Sequence, residues 1–145
     1  MEAKLKHLEF VQAAISRMAQ NSFLFKGWAI TIAAGLSAFG AANTKHALLV
    51  IALLSTVVFW GLDGYYLWLE RAFICLYEKV AATPEDAIDF AMRPLKSSRG
   101  GNWFIRWLWS AWGWFKTCFR PHLLFFYGVI AVIDVIGIFV IKGSK

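Results

Sequence analysis

The chain has 145 residues, 59% of them hydrophobic and 17% aromatic, which excludes an ordinary soluble domain and leaves no length for a separate soluble catalytic domain. The net charge of +6 would suit a nucleic acid. The basic residues stand beside apolar runs, however, where they set topology and meet anionic lipid headgroups instead.

Residues 1–22 read as an amphipathic helix, with Leu8, Val11, Ile15, Met18 and Ser22 at alternating spacings of 3 and 4 and Leu5 extending the stripe. The start, MEAKLKHLEF, has no signal-peptide apolar region or cleavage site. Residues 24–42 form the first span, anchored by Lys26 and Trp28. Two rows of small residues run along it, Ala29-Ala33-Ser37-Ala41 and Ala34-Ala38-Ala42. Such rows let helices approach closely in lipid, and here they fit either packing inside one chain or assembly of several copies.

A polar hairpin, Asn43 to His46, leads to the second span, 47–62. Asp63-Gly64 could kink it, but Leu62, Tyr66, Leu69, Phe73, Leu76 and Val80 continue a coiled-coil-like seam. The second helix is therefore predicted to run to 81 as a cytosolic stalk, antiparallel to the N-terminal helix. Counting residues along the two helices puts Lys26 level with Asp63, and Arg17 near Glu70. These are candidate gate or stalk pairs, or else ordinary exposed ion pairs of little energy.

Thr83-Pro84-Glu85-Asp86 has the signature of a helix start and predicts a short helix over 84–92. A basic linker, 96–101, follows. Residues 102–120 carry Trp103, Trp107, Trp109, Trp112 and Trp114. Asn102, Arg106, Ser110, Gly113, Thr117 and Arg120 make a narrow polar stripe on the same helix. The segment reads as an interfacial helix with that stripe toward water; it is short for a span and holds Arg106 and Lys116. Pro121 separates it from the third span, 122–141.

Lysine and arginine number four in 1–26, one in 43–46, eight in 63–121 and two in 142–145. The positive-inside rule then puts the N-terminus and the middle segment in the cytoplasm and the C-terminus outside it.

Chemistry points to Asp134, the one acid within the third span. Intramembrane carboxylates are costly and usually face a bundle interior or a wet path. It lies eight residues before Lys142, about 12 Å below the outer end. Ser37, Ser55 and Thr56 are the polar groups expected at that depth. Two readings stand. Asp134 stays protonated and hydrogen-bonds a neighbouring hydroxyl or carbonyl, or copies assemble and a ring of Asp134 lines a cation-favouring constriction. Catalysis has little support: His7, His46 and His122 are scattered, and no HExxH, GxSxG, P-loop or GxGxxG is present. Cys75 and Cys118 have no metal or redox spacing and read as inert. No metal and no cofactor is expected.

The stretches HLEFVQAAISRMAQNSFLFKGWAITIAAGL (7–36) and DGYYLWLERAFICLYEKV (63–80) resemble a family of small bacterial membrane proteins. Its pattern runs HLEFIQ, RMA, NSF and KGW before the first span and D-YYL, ER, F and LY after the second. On the matching stretch the resemblance singles out Arg17, Asn21, Lys26, Asp63, Glu70 and Arg71. The layout is also similar to the SLATT-type two-span effector modules of bacterial antiviral systems, thought to permeabilise the inner membrane when a cytosolic sensor fires. The expectation is an all-α integral membrane protein of the bacterial inner membrane with three spans. It would be a homo-oligomeric, pore-forming or membrane-depolarising effector answering to a cytosolic sensor protein. The alternative is a non-conducting anchor that docks a cytosolic partner.

Overall fold

A computed structural model describes residues 2–93 and 103–143, without the side chains of 86 and 103–110. The described residues form four α-helices: α1 (Glu2–Ala42), α2 (His46–Ala82), α3 (Trp103–Cys118) and α4 (Pro121–Gly143). Three of them, α1, α2 and α4, are long and apolar enough to cross a membrane.

The amphipathic segment and the first span are one unbroken helix rather than two. Nothing in 22–24 breaks the hydrogen-bond ladder, because neither Gly nor Pro stands there. α1 has 41 residues and α2 has 37, so they run about 60 and 55 Å. Each exceeds a hydrocarbon core of about 30 Å, and the surplus forms the stalk. The hairpin between them closes with a Schellman motif. The amide of Lys45 donates to the Gly40 carbonyl at 2.9 Å and that of Thr44 to Ala41 at 3.3 Å. Thr44 takes the left-handed conformation, φ 53°, at a position where glycine is usual. Gly40 lets α2 close in, since a Cβ there would lie 3.2 Å from the Leu48 Cβ.

Packing follows the rule for lipid, with small groups inside and large apolar ones outside. Ala29, Ala33 and Ala52 are buried, while Phe23, Phe125, Phe139 and Val140 are exposed. Ala29, Ala33 and half-buried Ser37 of the first row therefore turn inward, while Ala41 at its end and the second row, Ala34, Ala38 and Ala42, are exposed. Ala29, Leu123 and Tyr127 are the centre of the membrane core, packed by Phe59, Trp60, Leu67 and Phe126. In the stalk, Val11, Ala14 and Val80 are buried.

The helix predicted over 84–92 is not formed. A three-residue 3-10 turn, Glu85–Ala87, stands there, and residues 88–93 hold no regular structure. Thr83 ends α2 instead of starting a new helix. Its amide bonds the Val80 carbonyl and its hydroxyl the Lys79 carbonyl at 2.7 Å, so the side chain is spent on the preceding turn. A lone segment this short does not offset the cost of helix nucleation. Lys4 also holds this end, donating to the carbonyls of Ala81 at 2.9 Å and Thr83 at 2.8 Å. His7 is buried beside Phe90, ring centroids 5.6 Å apart.

The C-terminal half of α3, where side chains are described, lies the other way round from the expected orientation. Thr117 is buried and Gly113 packs on α2, whereas Trp112, Phe115 and Phe119 are exposed. A Cβ on Gly113 would lie 2.8 Å from the Trp68 indole nitrogen, and one on Gly64 would collide with the Cys118 sulfur. The glycines permit this approach, and the Thr117 hydroxyl needs no water because the Gly113 carbonyl accepts it at 3.0 Å. Two indoles fasten the contact: Trp60 Nε1 donates to the Cys118 carbonyl at 2.9 Å and Trp114 Nε1 to the Gly61 carbonyl at 3.0 Å.

Candidate functional site

The interior seam of α4 is Leu123, Tyr127, Asp134 and Ile141, at spacings that keep one face of a helix toward its neighbours. α2 presents Thr56 and Asp63 on a matching seam, also seven residues apart. Two buried acids result, at two levels of the same bundle and about 10 Å apart along the helix axes.

At the deeper level, Asp134 is 1% exposed. The Ser37 hydroxyl of α1 donates to its Oδ1 at 2.6 Å. The Thr56 hydroxyl of α2 lies 3.4 Å from its Oδ2 and 3.1 Å from the Ala52 carbonyl. Each of the other two spans thus contributes a hydroxyl. Ser55, expected at the same depth, does not take part: it donates to the Ala52 carbonyl at 2.7 Å. It stands at the right height but about 100° round the helix from Thr56, a difference that depth counting cannot register. The enclosure of Asp134 within one chain also bears on the ring expectation. As packed, its carboxylate faces α1 and α2 of its own protomer, where an inter-subunit pore would need it on an outer face.

At the level nearer the stalk, Asp63 is fully buried. Lys26 Nζ lies 2.5 Å from its Oδ2, and the lysine side chain keeps 25% exposure. Ser22 donates to Oδ1 and Tyr127 to Oδ2, the latter at 3.2 Å. Lys26 also donates to Ser22 at 2.9 Å. The carboxylate is therefore shared by a cation and two hydroxyls from α1 and α4. The Lys26–Asp63 pairing read from the sequence is present. Tyr127 and Ser22 were not singled out, although the signal existed. Tyr127 stands one heptad before Asp134, and Ser22 ends the apolar stripe of α1.

Arg17 and Glu70 do not form the expected pair. Arg17 is exposed and Glu70 half-buried, and among the described residues the two make no ion pair. Burial raises the Glu70 carboxyl above its usual range, and Lys26, not Arg17, partly offsets this. Arg71 is half-buried in the stalk. Burial, and after it the Asp63 carboxylate, push the Cys118 thiol up, against a smaller lowering by a backbone hydrogen bond. Of the residues assigned to the membrane interface, Trp103, Trp107, Trp109 and Arg106 have side chains outside the described set. Trp112 is exposed, Arg120 is half-buried, and Trp114 is turned onto α2.

The stalk holds a cleft of about 330 Å³ between the last turns of α2 and the segment after it, lined in part by Cys75, Lys79, Asp89 and Arg93. Among the described residues no three His, Cys, Asp or Glu side chains gather to hold a metal.

Comparison with protein-family models, with curated proteins and with solved structures finds no match for the chain. The reading of the site rests on its geometry.

Proposed function

We propose that the protein depolarises a membrane, with an ion path that follows the interior seam of the three spans past Asp63 and Asp134. The observation that carries this is Asp134: an acid deep in a membrane helix, sealed from lipid, and bonded by a hydroxyl from each of the other two spans. Ionisable groups so placed mark ion and proton routes more often than they serve as packing. The buried Asp63 with its half-exposed Lys26 continues the seam toward the stalk and suits a gate. The outward row Ala34, Ala38 and Ala42 offers a smooth face to a second copy, so the homo-oligomer belongs to the proposal. Each protomer would then carry its own path. Assignment to the bacterial inner membrane rests on the resemblance in sequence pattern, and assignment to antiviral defence with a sensor partner rests on the similarity of layout to the SLATT-type modules. The N-terminus in the cytoplasm and the C-terminus outside it follow from the charge distribution.

A second reading is favoured by the same hydrogen bonds. With both acids fully partnered, the seam can act as internal glue, and the protein is then a non-conducting anchor for a cytosolic partner. Membrane potential in bacterial cells after induced expression separates the two. Depolarisation by the wild type, altered by Asp134→Asn at matched membrane levels, supports the ion path. Polarised cells under every variant, with the stalk alone sufficient for function, would sink it.

A further inference from the structure

Resting on the depolarising reading, we propose that the ion is the proton, held in turn at Asp134 and Asp63, and that Lys26 is a tethered cation that closes the path by occupying Asp63.

Three observations lead there. Both carboxylates are bonded directly to protein hydroxyls and are at most 1% exposed. A sodium or potassium ion crossing this seam would need a shell of oxygen ligands to replace its water. A proton needs only hydroxyls and a file of water. Next, Thr56 stands between two acceptors, the Ala52 carbonyl at 3.1 Å and Asp134 at 3.4 Å. A hydroxyl has one proton to donate and lone pairs to accept. With Asp134 ionised, the Thr56 O–H turns to Oδ2. With Asp134 protonated, the acid donates to Thr56 and Thr56 donates to Ala52. Both states are satisfied by rotating one O–H bond, with no heavy atom displaced. Finally, Lys26 reaches Asp63 on a flexible stem and retains a route to water.

The step balances with water as the only co-reactant. A proton leaves the Asp134 carboxyl, crosses the gap of about 10 Å along water that enters when the helices part, and binds Asp63. Neutral Asp63 no longer holds the ammonium, and Lys26 swings to the cytosolic mouth still carrying its own proton. Asp63 gives its proton to cytosolic water, and Lys26 returns. Asp134, left as a carboxylate, takes a new proton from water at the opposite face, so each cycle moves one proton across. The titratable groups that face Asp63 are Lys26 from α1, Tyr127 from α4 and Cys118 from α3, with Glu70 beyond Lys26. Asp134 is bonded only by Ser37 and Thr56 among the described residues.

The test uses the full chain in liposomes of phosphatidylethanolamine and phosphatidylglycerol. An internal pH dye reports protons under a potassium–valinomycin potential, and separate vesicles without valinomycin report sodium and potassium release. Lys26→Gln leaves Asp63 buried without a counter-ion, and such a group takes up a proton rather than stay charged. Its proton flux should exceed wild type by at least about tenfold, as a minor open state becomes the major one. Sodium and potassium should stay inside. Adding Asp63→Asn to Lys26→Gln should return the flux to that of protein-free vesicles. Sodium or potassium release matching the proton flux would overturn the proton assignment while leaving the depolarising reading intact. Folded, inserted Lys26→Gln that passes no ion would overturn both. Should that variant fail to insert, wild type acidified on both faces must show a rise in proton flux that Asp63→Asn lacks, and a flat response overturns the proposal.

Discussion

Asp63 and Asp134 are both sealed inside one chain, yet by opposite means. Asp63 has a full counter-charge, Lys26, and two hydroxyls. Asp134 has hydroxyls only. The first arrangement sets a cation against the carboxylate, so loss of either partner removes the other's counter-charge. The second offers no counter-charge, only hydroxyls that can donate or accept. Neighbouring levels of one seam thus divide into a locked site and an adaptable one.

The largest expected effect breaks the locked site. Asp63→Ala leaves the lysine without its partner; breaking a fully buried pair costs about 3–5 kcal/mol, and the loss here should lie below that because the Lys26 side chain is 25% exposed. The double variant Lys26→Met/Asp63→Leu removes both charges and should recover most of that loss. Thermal unfolding in detergent across the four-member cycle checks this. If the single and double variants unfold together, the pair is not coupled. The adaptable site should respond far less. Asp134→Leu frees two hydroxyls that can bond their own helices, as Ser55 and Thr31 already do. Its cost should stay near the ~0.6 kcal/mol average for a hydrogen bond between membrane helices, and below its ~1.7 kcal/mol maximum. A loss as large as that of Asp63→Ala would erase the distinction between the levels. The smallest effect concerns Glu70, beyond Lys26. Burial holds its carboxyl high in the folded protein, so its contribution is favourable below the ordinary carboxylate range and fades as pH rises through the folded value. Glu70→Gln should therefore raise the unfolding midpoint slightly at neutral pH, by under about 1 kcal/mol at this partly exposed site. The gain should vanish in acid. A midpoint that falls at neutral pH would contradict the assigned shift.

Much of this contrast is legible in the chain itself. Long apolar runs give the three helices able to cross a membrane. Counting residues from each end matches the heights of Lys26 with Asp63, and of Ser37 and Thr56 with Asp134. Height is a one-dimensional quantity, however, and the bearing of a side chain round its helix is not contained in it. Ser55 is lost on that account, and Arg17 and Glu70 likewise share a level without meeting. α3 inverts for a different reason. A stripe holding Gly113 and Thr117 looks hydrophilic in sequence, but glycine brings no polarity, and a threonine that bonds its own helix is effectively apolar. Close approach to α2 then wins, and Trp112, Phe115 and Phe119 turn outward. The segment after Thr83 fails as a helix because its capping hydroxyl is already engaged by Lys79.

The continuity of α1 has a mechanical side. Lys4 grips the carbonyls at the end of α2, and Ser37 grips Asp134. The stretch from Lys4 to Ser37 is one stiff rod, about 50 Å from handle to tip. Anything that prises Lys4 from its carbonyls therefore works a lever. A tilt of a few degrees at the handle would shift the tip by more than a hydrogen bond can stretch, which ties the hold of Lys4 to that of Ser37.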